Sequence, residues 1–138
     1  MRQIYCDNSS TSFPKAPGLG SAIGEHIDHN GYNISRGNYI KAYSVEGAVM
    51  ETRELLCELF RFDQSRNVVF TPGATAGLNM ILKGILKKGD HVITTSMEHN
   101  AVVRPLRQLR ELGVEWDEAV CSEKGELEAS DVETLIKP

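Results

Sequence analysis

Residues 67–79 constrain the fold of this chain more than any other stretch. They read Asn-Val-Val-Phe-Thr-Pro-Gly-Ala-Thr-Ala-Gly-Leu-Asn. The apolar run at 68–70 predicts a strand, the Thr-Pro-Gly sequence breaks it, and a helix is predicted to begin at residues 74–75. The apolar positions of that helix are Leu78, Ile81, Leu82 and Ile85. A strand followed by a glycine turn and a helix is a unit of α/β folds.

The turn into this helix also has the features of an anion site. The N-terminus of a helix offers free backbone N–H groups and the positive end of the dipole, and Thr75 adds a hydroxyl donor. Ligands of open α/β sheets bind outside the carboxyl ends of the strands, so a phosphate-bearing ligand is predicted here. The alternative is a helix capped by Thr75 without a ligand. The glycine spacing matches neither a Walker loop nor the dinucleotide fingerprint.

The rest of the sequence alternates between helical and extended patterns. Further helices are predicted at about 22–30, at 45–60 with Ser44 as the cap, at 103–112 with Pro105 in the first turn, and from Asp131 onward. Strands are predicted at 4–6, 91–95 and 114–120, and loops at 32–43, 96–100 and 122–128. This alternation predicts an α/β chain with a largely parallel sheet.

Composition and charge argue against several kinds of partner. The chain has 15 Lys and Arg against 19 Asp and Glu, a net charge of −4 that disfavours nucleic acid and anionic membranes. No stretch approaches the roughly 18 apolar residues that cross a bilayer, and no signal peptide is evident. The three cysteines lie far apart, as expected of reduced thiols. We therefore expect a cytoplasmic protein.

Four pieces of the sequence together point to one family. They are Ile-Tyr-Cys-Asp-Asn-Ser-Ser-Thr-Ser at 4–12, Ser-Arg-Gly at 35–37, Phe-Thr-Pro-Gly-Ala-Thr-Ala-Gly-Leu-Asn at 70–79, and Gly-Asp-His-Val-Ile-Thr-Thr-Ser-Met-Glu-His-Asn-Ala-Val at 89–102. In this order they resemble cysteine desulfurases, which are pyridoxal-phosphate enzymes of the class V aminotransferase group. The resemblance implies part of a three-layer α/β sandwich, the large domain of fold type I (aspartate aminotransferase-like) transferases, with a mostly parallel sheet.

The resemblance also implies a domain organisation. Residues 1–44 are expected to contribute to the small domain and the edge of the active site. Residues 45–138 are expected to form the N-terminal part of the large domain, which binds pyridoxal phosphate. Because the enzymes of this family are far longer, we expect the chain to be the N-terminal part of such an enzyme.

The resemblance assigns a cofactor role to four residues. Gly73, Ala74 and Thr75 match the segment that binds the phosphate of pyridoxal 5′-phosphate. His99 matches the histidine that stacks on the pyridine ring and is a candidate proton carrier. An imidazole suits both tasks, since it is flat and titrates near neutral pH. Without the resemblance, a lone loop histidine is more often solvated or hydrogen-bonded than catalytic.

A second group of residues carries weaker assignments. Asn8, Ser9 and Ser10 match a segment near the substrate carboxylate, although two serines replace the alanines of the family, and a plain turn is the alternative. Arg36 and Gly37 match a loop that reaches the partner's site in dimeric relatives. The alternative, a solvated loop arginine without such a role, is the preferred interpretation.

Metal and thiol chemistry are not predicted within this chain. His26 and His29 lack an evident third ligand, so no metal site is expected. Cys57 lies on the apolar stripe of its helix and is interpreted as core.

The predicted function is that of the family. Such an enzyme converts L-cysteine to L-alanine, and an enzyme cysteine takes the sulfur as a persulfide. A homodimer and a sulfur-acceptor protein are the implied partners. The cofactor-bound lysine and the sulfur-accepting cysteine are expected beyond Pro138, so this chain alone should be inactive. Alternatives are a selenocysteine lyase, another class V aminotransferase, or a non-catalytic βαβ module with a vestigial anion site.

Overall fold

The computed structural model describes residues 4–34 and 39–137. Its elements in chain order are α1 (Leu19–Asn30), α2 (Ile40–Phe60), a 3-10 turn (Ser65–Asn67), α3 (Ala74–Ile85), β1 (His91–Thr95), α4 (Asn100–Glu111), β2 (Glu115–Ala119) and α5 (Ala129–Glu133). The predicted α/β class with a parallel sheet is confirmed. Among the described helices, none combines the length and apolar composition needed to cross a membrane.

The chain separates into two compact units, Met1–Val69 and Phe70–Pro138. Each unit is a separate body in the description that follows. The domain boundary predicted at residues 44 and 45 falls inside α2, which is continuous there. That boundary stays a prediction.

Helix α2 of the first unit begins earlier than predicted. Its N-cap is Tyr39, and the Ser44 hydroxyl donates to the Lys41 carbonyl at 2.7 Å from within the first turns. Ser44 is therefore not a cap, and the predicted loop over 32–43 is wrong at its C-terminal end. A serine inside a helix often bonds back to the preceding turn in this way. Cys57 is 8% exposed, which confirms it as a core residue.

The strands predicted at 4–6 and 68–70 are wrong. Strands are defined by pairing, and neither segment pairs with another strand within the described residues. Near the first segment, the Tyr5 hydroxyl donates instead to the Thr11 carbonyl at 2.8 Å. Near the second, the Val68 N–H donates to the Ser65 carbonyl at 3.1 Å, which continues the preceding 3-10 turn.

The second unit is a βαβ arrangement with α3 packed against α4. Strands β1 and β2 pair in parallel from His91 opposite Glu115 to Thr95 opposite Ala119, and β1 has the predicted bounds. Buried side chains of α4 and the residue before β2 form the core: Leu106, Leu109 and Val114, with Leu82, Leu86, Val92, Val102 and Trp116 packed around them. Because α4 connects two parallel strands, it begins at the carboxyl end of β1.

Helix α4 begins at Asn100, three residues before the predicted start. Pro105 therefore lies in the second turn, not in the first turn as predicted. A proline there lacks the N–H that would bond to Ala101, at a cost of about 3 kcal/mol for an exposed helix. Its ring is fully buried, and this apolar burial offsets part of the cost.

An ionic network lies on β1, β2 and the residues after α5. His91 Nε2–H donates to Asp117 Oδ2 at 2.9 Å, and Lys137 Nζ lies 3.0 Å from the same oxygen and 2.8 Å from Glu115 Oε2. His91 is therefore structural. The hydrogen bond from Lys137 is the main cause that lowers the pKa of both carboxyl groups, and His91 adds to the effect on Asp117.

This network should make part of the stability dependent on acid pH. Both carboxyl groups have folded pKa values below the unfolded values of about 3.9 and 4.3, so their contribution is present above pH 4 and lost as pH falls through the folded values. We expect Lys137→Met to flatten the decline in the free energy of unfolding below about pH 4. Urea unfolding at several pH values tests this, with Lys124→Met as the control. An equal decline in both variants would contradict the role of Lys137.

Candidate functional site

The start of α3 is open. Gly73 is the N-cap residue in extended backbone, with φ 161° and ψ 171°, and no side chain caps the helix. Within the described residues, the Thr75 hydroxyl has no hydrogen-bond partner, and the side chain is exposed. The first N–H groups of a helix have no acceptor within it, so this end keeps its donors for another group. The alternative of a cap made by Thr75 is not what the structure shows.

Beside Gly73 there is space that no atom of the described residues fills. A β-carbon built there would meet no heavy atom within 4 Å. The backbone of Gly73 is extended, a conformation that any residue can adopt. The backbone conformation therefore does not require glycine at this position. The free space and the open N–H groups lie at the same place, which suits the close approach of a ligand to the backbone.

His99 lies in the loop after β1, as predicted, and it is also the N-cap residue of α4. Its Nδ1 atom accepts a hydrogen bond from the Ala101 N–H at 3.1 Å, and its Nε2 atom has no partner among the described residues. Sequence reasoning missed this cap because histidine is not among the usual N-cap residues.

The loop before His99 is fixed to the edge of the sheet. The Ser96 N–H donates to the Ala119 carbonyl, and the Ser96 hydroxyl accepts from the Cys121 N–H, each at 2.9 Å. The Thr95 hydroxyl donates to the Glu98 carboxylate at 3.0 Å. Together these bonds hold His99 at the carboxyl end of β1.

Thr75 and His99 line one pocket of ≈ 350 Å³ between α3 and α4. The other residues of this pocket are Asn79, Lys83, Asn100, Ala101, Arg104, Pro105 and Gln108. Sequence analysis anticipated that the two residues would share a site, because parallel strands present their carboxyl-end loops to one crevice. It missed Lys83 and Arg104. Their signal is helical spacing: Lys83 lies two steps of four residues after Thr75, and Arg104 lies four residues after Asn100. This spacing becomes informative once α3 and α4 are known to pack together.

The predicted substrate-binding residues lie in the first unit, within an exposed turn. The Ser10 N–H donates to the Asp7 carbonyl at 3.1 Å, and Asn8 Oδ1 accepts from the Phe13 N–H at 3.0 Å. The Asn8 side chain therefore closes the turn, and a role for Asn8, Ser9 and Ser10 toward substrate stays a prediction. Residues 35–37, with Arg36 and Gly37, lie outside the described residues. In the part of the chain that is described, no three metal-ligating side chains group together.

The βαβ unit and its helix-terminal pocket define an α/β fold with an anion-suited site, and sequence comparison identifies the class. The family described as aminotransferase class-V matches residues 4–138. This chain belongs to that family.

Individual relatives narrow the comparison. The cysteine desulfurase IscS of Acinetobacter baumannii (strain AYE) is 34% identical over 120 residues, which are 83% of this chain and 29% of that protein. The apo structure of a cysteine desulfurase from Thermococcus onnurineus NA1 superposes with a TM-score of 0.79 at 26% identity, covering 93% of this chain and 32% of that one. The structure of SspA in complex with cysteine superposes with a TM-score of 0.79 at 26% identity, covering 94% of this chain and 38% of that one. The chain thus spans about a third of the length of these relatives.

Proposed function

We propose that this chain supplies the cofactor-phosphate site and the ring-facing histidine of a pyridoxal-phosphate-dependent cysteine desulfurase. The observation that carries the proposal is the shared pocket of Thr75 and His99. Relatives named as cysteine desulfurases, and a structural neighbour in complex with cysteine, support L-cysteine as the substrate.

The residues present fit a phosphate group on a flat ring. The uncapped start of α3 and the Thr75 hydroxyl supply hydrogen-bond donors for a phosphate. The space at Gly73 leaves room for it. His99 lies on the same pocket and has an aromatic face and a free Nε2 atom. Gly73, Ala74 and Thr75 would hold the phosphate, and His99 would face the ring.

When bound, pyridoxal phosphate supplies an electron sink for reactions at the α-carbon of an amino acid. The described residues contribute binding and proton transfer. The backbone of Gly73 and Ala74 and the hydroxyl of Thr75 fix one end of the ligand by charge-assisted hydrogen bonds. Nε2 of His99 is the atom that would hold a proton beside the ring, because the bond that Nδ1 accepts from the Ala101 N–H places the imidazole proton on Nε2. Release of that proton would require a proton on Nδ1 and the loss of this bond.

The remaining assignments follow from the family resemblance. We propose that the longer enzyme is a cytoplasmic homodimer, that it passes sulfur to an acceptor protein, and that residues 1–44 contribute to its small domain. Asn8, Ser9 and Ser10 are proposed to lie near the substrate carboxylate through their backbone.

Removal of the Thr75 hydroxyl should weaken retention of the cofactor. In the longer enzyme, we expect Thr75→Ala to cost about 1.5–3 kcal/mol of cofactor binding, which is the value of one hydrogen bond to a charged group. Thr75→Ser should restore most of the affinity, and Thr134→Ala is the control outside the pocket. Equilibrium titration of the apoenzyme with pyridoxal phosphate measures the effect. Unchanged affinity in a normally folded Thr75→Ala enzyme would place the phosphate elsewhere.

A further inference from the structure

In the part of the chain that the structure describes, the pocket between α3 and α4 is lined by two cations and no acid. Lys83 and Arg104 are among its nine lining residues, none of which is Asp or Glu. The pocket beside Arg107 on the same helix contains Asp117 and Glu118. The α3–α4 pocket is therefore a positively charged region in a chain whose net charge is −4.

Both cations are free to act on a ligand. Within residues 4–34 and 39–137, neither Lys83 nor Arg104 forms an ion pair or a side-chain hydrogen bond, and both side chains are exposed. Thr75, Asn79 and Lys83 are spaced four residues apart, so they share one face of α3 over roughly 12 Å. Arg104 faces the same pocket from α4.

We infer that Lys83 and Arg104 form an anion-capture patch that draws phosphorylated ligands toward Thr75 and discriminates against their unphosphorylated forms. The inference rests on the proposed function, because it takes Thr75 as the phosphate position. It assigns to Lys83 and Arg104 a role in recognition that neither the strand–turn–helix motif nor the ring-facing histidine provides.

Simple electrostatics gives the size of the effect. A dianion about 8–12 Å from one cation in water gains a factor of roughly two to four in affinity when the Debye length is about 30 Å, and about twofold or less when it is about 8 Å. The factor applies only to the phosphorylated ligand, since the unphosphorylated ligand has no such charge. Two cations together should give roughly tenfold at low ionic strength.

The test uses a ligand that cannot react with lysine. The probe is 4′-deoxypyridoxine 5′-phosphate, which has no aldehyde, and its matched control is 4′-deoxypyridoxine. Amide chemical shifts of Thr75 and Ala101 in the isotope-labelled chain are followed by NMR during titration, at ionic strengths of roughly 0.01 and 0.15 M. The variants are Lys83→Gln, Arg104→Gln and Arg104→Lys. The controls are Arg107→Gln, on the same helix, and Lys124→Gln.

We expect Lys83→Gln and Arg104→Gln each to raise Kd for the phosphorylated probe by roughly two- to fivefold at low ionic strength, and less at high. Arg104→Lys and both controls should leave Kd unchanged, as should every variant with the unphosphorylated probe. An unchanged Kd in Lys83→Gln and Arg104→Gln would overturn the inference. If Thr75→Ala still weakened binding in that case, the proposed function would stand. No shift at Thr75 or Ala101 in the unaltered chain would overturn both.

Discussion

In the longer enzyme, His99→Asn is expected to lower the turnover of cysteine by roughly 10²–10⁴-fold, the usual contribution of a general acid–base group. Asparagine is a strong N-cap residue, so it should replace the hydrogen bond to the Ala101 N–H and retain the start of α4. It has no aromatic ring and no titratable nitrogen. The variant therefore removes stacking and proton transfer without removing the cap, and both cofactor absorbance and rate should change.

His99→Phe separates the two remaining roles. Phenylalanine keeps a flat ring against the cofactor but loses the proton and the cap, whose absence should cost about 1 kcal/mol of stability. We expect the cofactor to be retained and turnover to fall as far as in His99→Asn. Steady-state rates, absorbance spectra and thermal unfolding of the two variants measure these effects. A normal rate in His99→Phe would limit His99 to stacking, and unchanged spectra and rates in His99→Asn would exclude this residue from the active site.

Leu106→Ala should be the most destabilising single truncation in the second unit. Leu106 is 0% exposed and forms the centre of the core with Leu109 and Val114. Truncation of a fully buried leucine costs about 2–5 kcal/mol, because the cavity collapses only partly. Leu112→Ala makes the same change at a side chain that is 68% exposed, and it should cost less than about 0.5 kcal/mol. Urea unfolding of this chain compares them. Equal midpoints in the two variants would contradict the assigned core.

Local sequence patterns were sufficient where an element depends mainly on its own residues. Strand β1 was predicted at its observed bounds, since a short apolar run lies between a glycine-containing turn and a polar segment. Helix α3 was predicted from its apolar spacing. The helix predicted at 103–112 is followed by Gly113, whose φ of 92° suits glycine.

Local patterns failed where another part of the chain decides the outcome. The segment at 68–70 has the apolar character of a strand, but pairing with a second strand decides whether it becomes one. Pro105 was expected in the first turn, and its burial against the core allows it in the second. Lys83 and Arg104 reach the same pocket as Thr75 only because α3 and α4 pack together. Sequence spacing within one helix does not contain that information.

The hydrogen bond between His99 Nδ1 and the Ala101 N–H links the protonation state of His99 to the first turn of α4. Nδ1 can accept this bond only in the neutral tautomer that carries its proton on Nε2. If His99 gains a second proton, or moves its single proton to Nδ1, the acceptor is lost and the first turn of α4 loses its cap. Each proton that passes through Nε2 must therefore alter the end of a helix. The Ala101 N–H loses its acceptor whenever Nδ1 is protonated. Its hydrogen-exchange rate should therefore follow the protonation state of the imidazole during catalysis.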